Sequence, residues 1–345
     1  MTEENAAGKI NELRFFDNIR DEETVALIQN AIKVNGYAPE HNYFELLSYD
    51  SKDSKPLFVY FGDGKGLFAV DYEDVWQVLS EILAPKGERA DMFIQFADYL
   101  FKNKNVKKIM VEFPFELRKE ISKKIRNKNR TLIDPAEKRL TVGDVVEHYY
   151  TPIINLEHWD PTLNGPDFSK LRKAKNRFFR THKVEIIMNE DIANVPVKDI
   201  REMVIAWAKN RKARDRAAYD AYITFINNGC KGSALSLLIK IDDKVRGLAS
   251  ASLIPNSEKT VYYNINLHDY SIPELGDFLT VLFLDELKNA GFKFLNFGAS
   301  DKRLLQYKEK FNPVSKYDSA LFYVRYEPEK KRKEEKKIPV VEEKV

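Results

Sequence analysis

The chain has 345 residues, 43% hydrophobic and 12% aromatic, enough apolar material for two domains of ordinary size with real cores. Its single cysteine, Cys230, excludes an internal disulfide framework and a multi-thiolate metal site and points to a reducing compartment. The formal net charge of +3 is unevenly spread: residues 1–90 hold 9 Lys/Arg against 17 Asp/Glu, whereas residues 91–326 hold 40 against 30. Two readings of that asymmetry stand: an unevenly charged solvated surface, or a back half that meets an anion such as a polynucleotide or a lipid head group.

The amino terminus, MTEENAAGK, is polar and lacks the apolar core of a signal peptide. No apolar run reaches the roughly 20 residues needed to span a bilayer; the longest, ALSLLIKI, is strand-sized. The expectation is a cytoplasmic protein without a transmembrane segment.

Residues 24–34 carry apolar residues at helical spacing and stop before Gly36. HNYFELLSYD reads as a second short helix. PLFVYF and GLFAVDY flank GDGKG, a hairpin signal in which glycines supply positive φ. Residues 91–103 predict an amphipathic helix, VKKIMVEF a strand, and PFELRKEISKKI a helix opened by proline. The polar stretch from RNKNR to about Leu140 reads as a connection or hairpin. VEHYYTPIINLEHW and a turn-rich DPTLNGPD follow, and Asp167 is placed to cap the helix FSKLRKAKNRFFRTH.

KVEIIM then reads as a strand, and VKDIREMVIAWAKNRK and RAAYDAYITFINN as helices about a basic junction. SALSLLIKI, KVRGLASASLI and KTVYYNINL read as three strands. DFLTVLFLDELKNAG is a helix closed by Gly291, FKFLNFG a strand, the stretch NFGASDKRLLQYKEKFNP a glycine turn followed by a short helix, and SALFYVRY the last strand. Residues 327–345 form a charged, low-complexity tail that reads as disordered. The shared order of elements predicts two related α/β lobes, residues 1–140 and 141–326.

Three segments carry candidate chemistry. From Lys170 to Lys183 there are seven cations and no acid: Lys170, Arg172, Lys173, Lys175, Arg177, Arg180 and Lys183. A one-signed helix face suits a phosphate track, although a solvated face is the plainer alternative. Asn176 within it is either a donor to a substrate carbonyl or a surface amide, and the junction KNRKARDR adds five more cations. The second segment, HDYSIPELGD, precedes a helix but holds Glu274 and Asp277, which would repel a pyrophosphate bound at the helix start. Asp277 either complements its own helix dipole or binds an ammonium or proton. In the third, NFGASDKRLLQYKEKFNP, Lys302 and Arg303 oppose the helix dipole, and Lys308 and Lys310 follow. Lys308 and Lys310 are either solvated, with Asp318 a possible partner for Lys310, or face an anion. The five histidines show no metal-ligand spacing, and Cys230 has no histidine partner in sequence.

Three stretches, LRKAKNRFFR, LGDFLTVLFLDELKNAGFKFLNFG and above all YKEKFNPVSKY, resemble the phosphatidylglycerol lysyltransferase C-terminal domain family, also called DUF2156. The resemblance implies a mixed α/β (α+β) fold of two lobes of the N-acetyltransferase-like GNAT type, each a mostly antiparallel sheet flanked by helices. It implies an acyltransferase related to Fem-type enzymes that takes an aminoacyl group from aminoacyl-tRNA, needs no cofactor or metal, and passes the group to an anionic lipid or small-molecule acceptor. By that resemblance Lys308 and Lys310 stabilise the oxyanion of the reacting carbonyl, and Asp277 orients the amine or acts as base. The donor enters between the lobes, guided by Arg172, Lys173, Asn176, Arg177, Arg180 and Arg303. An acyl-CoA-dependent N-acyltransferase and a non-catalytic module that binds tRNA or anionic lipid are the alternatives.

Overall fold

The structure, a computed structural model, describes residues 13–50, 54–131, 138–210 and 219–327. Most of the basic junction and the charged tail from residue 328 lie outside the described residues.

In the first half, β1 (Arg14–Phe16), α1 (Glu22–Asn35) and α2 (Tyr43–Ser48) precede a meander of β2 (Pro56–Gly62), β3 (Lys65–Tyr72) and β4 (Val75–Val78). Helix α3 (Arg89–Asn103) crosses to β5 (Lys108–Pro114), and α4 (Phe115–Arg130) leads into β6 (Arg139–Asn155). The second half opens with α5 (Ser169–Thr181), β7 (Val184–Met188), α6 (Val197–Lys209) and α7 (Tyr219–Asn227). A second meander of β8 (Leu235–Ile241), β9 (Lys244–Leu253) and β10 (Thr260–His268) follows. Helix α8 (Leu275–Asn289) crosses to β11 (Phe294–Asn296), and α9 (Lys302–Glu309) leads to β12 (Ser315–Glu327).

The two halves thus repeat one plan: an antiparallel meander, a crossover helix, a strand parallel to the meander's last, a helix and a closing strand. The parallel pairs are β4 with β5 and β10 with β11, where a helical crossover is what parallel pairing requires. All strands join one sheet in the order β1-β2-β3-β4-β5-β12-β6-β11-β10-β9-β8-β7.

The closing strands are exchanged. β12 pairs with β5 of the first half, β6 pairs with β11 of the second, and the two pair with each other from Ser315↔Ile153 to Glu327↔Arg139. Ala320, Phe322 and Val324 of β12 therefore complete the first half's core, and Ile154 of β6 completes the second's. This corrects the reading of the stretch up to Leu140: α4 runs to Arg130, and β6 starts at Arg139 because it must reach across both halves. The expected division at 140/141 falls inside β6. Asp167 does not cap α5; Phe168 holds the cap position without a side-chain hydrogen bond.

Both faces of the sheet are covered, so the strands are apolar on both sides. In β2, Leu57 and Val59 face the core under α3 and α4, and Phe58 faces the core under α1 and α2. In β8, Leu237 and Ile239 face α5 and α8, and Leu238 faces α6 and α7. Helix α8 is enclosed nearly all round, with 11 of its 15 residues buried. Its Phe278 is fully buried and stacks on Phe178 of α5 at 4.5 Å, and burial of such a ring stabilises by about 1.5–3 kcal/mol.

The lobes also meet away from the sheet. Asn256 Nδ2 donates to the carbonyls of Lys33 and Gly36 at the end of α1, at 3.1 and 2.9 Å. A Cβ on Gly36 would sit 2.7 Å from Pro255 Cβ and 2.4 Å from the Ile32 carbonyl oxygen, so only glycine allows this approach. Helix α2 packs on α7. These contacts hold the segment around Glu40 and Glu45 against the second lobe.

Candidate active site

β10 and β11 pair only from Thr260↔Phe294 to Tyr262↔Asn296; β11 then ends while β10 runs on to His268. The start of α8 and the end of α9 meet beside the exposed part of that wedge. Asp277, in the first turn of α8, is ion-paired with Lys310, which caps the C-terminus of α9. The Lys310 ammonium also lies 4.1 Å from the centre of the Tyr307 ring. Burial raises the Tyr307 phenol above its ordinary value, and its hydroxyl lies 3.4 Å from Thr280 Oγ1. Asp277 and Tyr307 line a groove of about 300 Å³ together with His268, Tyr270 and Glu274. Lys310 therefore pairs with Asp277 rather than Asp318, whose carboxylate instead meets His148 at 3.2 Å. The fold thus joins two of the sequence candidates, 33 residues apart, in one ion pair.

Lys308 is 7% exposed and points inward, away from that groove. Its Nζ donates to the carbonyl of Gly298 at 2.9 Å and to that of Phe297, and so ties α9 to the end of β11. Burial lowers its pKa to about 7. A neutral amine has two N–H groups, which matches its two carbonyl partners, whereas an ammonium would bury a third. The helix itself explains the cations at its start. Asp301 caps α9, accepting from Leu304 N at 2.8 Å, and supplies the negative charge that the dipole favours; Lys302 and Arg303 project into solvent.

Much of the basic face of α5 is engaged within the chain. Arg172 donates to the carbonyls of Leu163 and Gly165. Lys175 meets Asp285 at 2.6 Å, and Asp285 also accepts from Trp159 Nε1 at 2.7 Å. Arg177 pairs with Glu274 at 2.8 Å and donates to the Pro273 carbonyl, which places it beside the groove. Lys183 meets Asp243 at 2.7 Å. Lys173, Asn176 and Arg180 are exposed and make no contact with the groove, and Arg303 is exposed on α9. Cys230 is partly buried, and burial pushes its thiol up to about 11, so it is not a poised nucleophile.

Between the lobes lie two cavities that adjoin through Pro39, Glu81, Pro114, Asn296 and Tyr317. The smaller, about 230 Å³, opens where β4 and β5 part. Glu40, Glu45, Glu81 and Glu112 line it. Glu81 accepts from the Tyr37 hydroxyl at 2.9 Å and Glu112 from the Ser319 hydroxyl at 2.7 Å. Desolvation holds all four carboxyls above their ordinary range, Glu45 at about 8. The larger cavity, about 640 Å³, also carries Lys86 and Arg89. Neither Asp277, Lys308 nor Lys310 reaches these cavities.

The sequence profile of the family described as "Phosphatidylglycerol lysyltransferase, C-terminal" matches residues 147–325, more than half of the chain. The chain belongs to this family. No curated protein matches it. Among solved structures, it is similar to the C-terminal domain (DUF2156) of a lysylphosphatidylglycerol synthetase from Agrobacterium fabrum, with 12% identity and a TM-score of 0.59 over 87% of this chain and 92% of that one. L-PGS from Bacillus licheniformis is 15% identical, with a TM-score of 0.57 over 89% and 92% of the two chains. A tandem GNAT protein from the clavulanic acid biosynthesis pathway is 11% identical, with a TM-score of 0.51 over 91% and 98%. At these identities the structures establish the fold: two GNAT-like lobes on a mostly antiparallel sheet.

This member of the phosphatidylglycerol lysyltransferase C-terminal family has no helix among its described residues long and apolar enough to cross a membrane. The profile covers the groove and the Asp277–Lys310 pair beside it but not Glu40, Glu45, Glu81 or Glu112, which sequence reasoning passed over. They are spread over 73 positions and have no shared spacing. Two weak signs were present: the acidic excess of residues 1–90, and a lone glutamate in the apolar run IMVEF.

Proposed function

We propose that this chain is an acyltransferase of the aminoacyl type, taking an aminoacyl group from aminoacyl-tRNA and passing it to a lipid or small-molecule acceptor in the Asp277–Lys310 groove. The observation that carries the reading is the charge arrangement at the start of α8. Glu274 and Asp277 stand where a pyrophosphate would need bare N–H groups, and the ammonium there, Lys310, is fixed over Tyr307. That pattern disfavours a CoA donor and suits an ester carbonyl. Family membership supports the same class of reaction.

In the reaction the acceptor hydroxyl adds to the ester carbonyl, the ribose oxygen leaves, and the acceptor's proton ends on the ribose hydroxyl. Lys310 has three N–H donors, and the Asp277 contact leaves others for the developing oxyanion. Such a donor, fixed before the reaction, is worth about 2.7–4 kcal/mol. Asp277 holds Lys310 in place and accepts the donor's α-ammonium or the acceptor's proton. Lys308 acts by holding the β11–α9 turn. Arg177, Lys173, Asn176, Arg180 and Arg303 give the tRNA end a basic approach from α5 and α9, while Arg172 holds the loop before α5.

The test is single-turnover transfer from labelled aminoacyl-tRNA to extracted lipids and to small amines and alcohols. Lys310→Ala should lower the rate by about 10²–10³ with the fold intact. Transfer at the unmodified rate refutes the assignment, and stabilisation by acetyl-CoA together with acetyl transfer would replace the donor.

A further inference from the structure

The chain between β10 and α8 forms a rim of the groove, and its backbone conformation does not suit the residue it carries. Glu274 has φ 64 and ψ 6, left-handed backbone that glycine adopts freely and glutamate only at a cost. It precedes the first turn of α8, yet its side chain caps no N–H of that helix. Its carboxylate instead meets Arg177 Nη2 of α5 at 2.8 Å, and the same nitrogen donates to the Pro273 carbonyl at 3.2 Å. Glu274, Gly276 and Asp277 all line the groove. A Cβ on Gly276 would lie 2.6 Å from His268 Cε1, so no side chain can cover the backbone at that position.

We propose that Glu274 is a specificity-determining residue that keeps phosphate and pyrophosphate groups out of the groove. The proposal rests on the reading of this groove as the transfer site, and it assigns the discrimination to one side chain. Without the Glu274 carboxylate, the rim would present a free guanidinium, a left-handed turn and the open N–H groups at the start of a 15-residue helix, a combination that holds oxyanions. The carboxylate acts against this in two ways. Its charge repels an anion at the helix start, and it occupies the arginine that would otherwise hold one. The charge of Asp277 is engaged separately, in fixing Lys310. A donor that must seat a diphosphate at the start of α8 is therefore turned away. A donor that brings only its ester end into the groove, with its phosphates remaining outside along α5, is admitted.

A gain of binding tests this, because a merely structural role for the Arg177–Glu274 pair would not create one. Titration calorimetry of the full chain with inorganic pyrophosphate, at fixed ionic strength, would compare the unmodified protein with Glu274→Gln and Glu274→Gly. The glutamine keeps the side-chain length and removes the charge; the glycine also relieves the left-handed backbone. Both variants should bind pyrophosphate at least about tenfold more tightly than the unmodified chain. Adding Arg177→Gln to either should remove most of that gain. Absence of the gain from either variant, when folded, or a gain that survives Arg177→Gln, overturns the proposal. Should Glu274→Gln unfold, Glu274→Gly with and without Arg177→Gln decides. Transfer from aminoacyl-tRNA is measured separately on the unmodified chain: its absence refutes the proposed function, whereas the pyrophosphate titration reports on Glu274 whether or not transfer occurs.

Discussion

Replacing Lys308 by methionine should change stability in a way that depends on pH. The side chain is 7% exposed, and burial lowers its pKa from 10.5 to about 7. Between those values the unfolded chain binds the proton more tightly than the folded one, so the native protein gains stability as pH rises from 7 towards 10.5. Each tenfold difference in proton affinity between the two states is worth about 1.4 kcal/mol, so the whole linked effect is on the order of 5 kcal/mol, of which about 2 kcal/mol falls between pH 7 and 9. Methionine of similar length removes that dependence but leaves the carbonyls of Phe297 and Gly298 without their donor, at about 1–3 kcal/mol each, independent of pH. Near pH 7 the two effects largely offset. By pH 9 the variant should be a further ~2 kcal/mol less stable than the unmodified chain. Urea unfolding of both proteins at pH 7, 8 and 9 measures this. A stability difference that stays constant across the series would mean that Lys308 is charged in the fold.

Gly36→Ala should force α1 and the Asn256 loop apart, because the new Cβ meets Ile32 O and Pro255 Cβ; a fall in melting temperature with faster amide exchange at both segments is expected. His41 is fully buried, its Nδ1 accepts from Tyr37 N at 3.0 Å, and burial lowers its pKa from 6.5 to about 4. The unfolded chain therefore takes up the proton first on acidification, and stability should fall by about 3 kcal/mol from pH 6.5 to 4, an effect that His41→Gln removes. Lys173→Glu with Arg180→Glu should weaken tRNA binding and reduce the slope of log K against log salt by about 1–2, leaving thermal stability nearly unchanged. An unchanged slope would take α5 out of the tRNA path.

Local chemistry made much of this fold readable. The GDGKG hairpin forms with Gly62 and Gly64 at φ 93 and 68, which the sequence signal required. Helix α8 stops at Gly291, and its apolar run is long because the sheet and α5 enclose it. The exchange of β6 and β12 was not readable, since strand partners 162 or more residues apart leave no local mark. β4 was passed over for a related reason: VWQV is too short to show a period, and β3 and β5 on either side decide its state. At the candidate site, the family signature brought Asp277 and Lys310 to notice, and the fold joins them. The same signature could not show that Lys308, two residues from Lys310, faces inward, because one helical turn decides the direction. On α5, the one-signed charge run gave no hint that Arg172 is held by the preceding loop and that Lys175 and Arg177 have partners in and just before α8.

The proposed reaction puts an aminoacyl ester beside Lys310. A crystal soaked with a hydrolysis-resistant 3′-aminoacylamino-adenosine tests it most directly. The amide carbonyl oxygen should lie within hydrogen-bond distance of Lys310 Nζ, with the α-ammonium near Asp277. An analogue lodged elsewhere, with the groove empty, would contradict it.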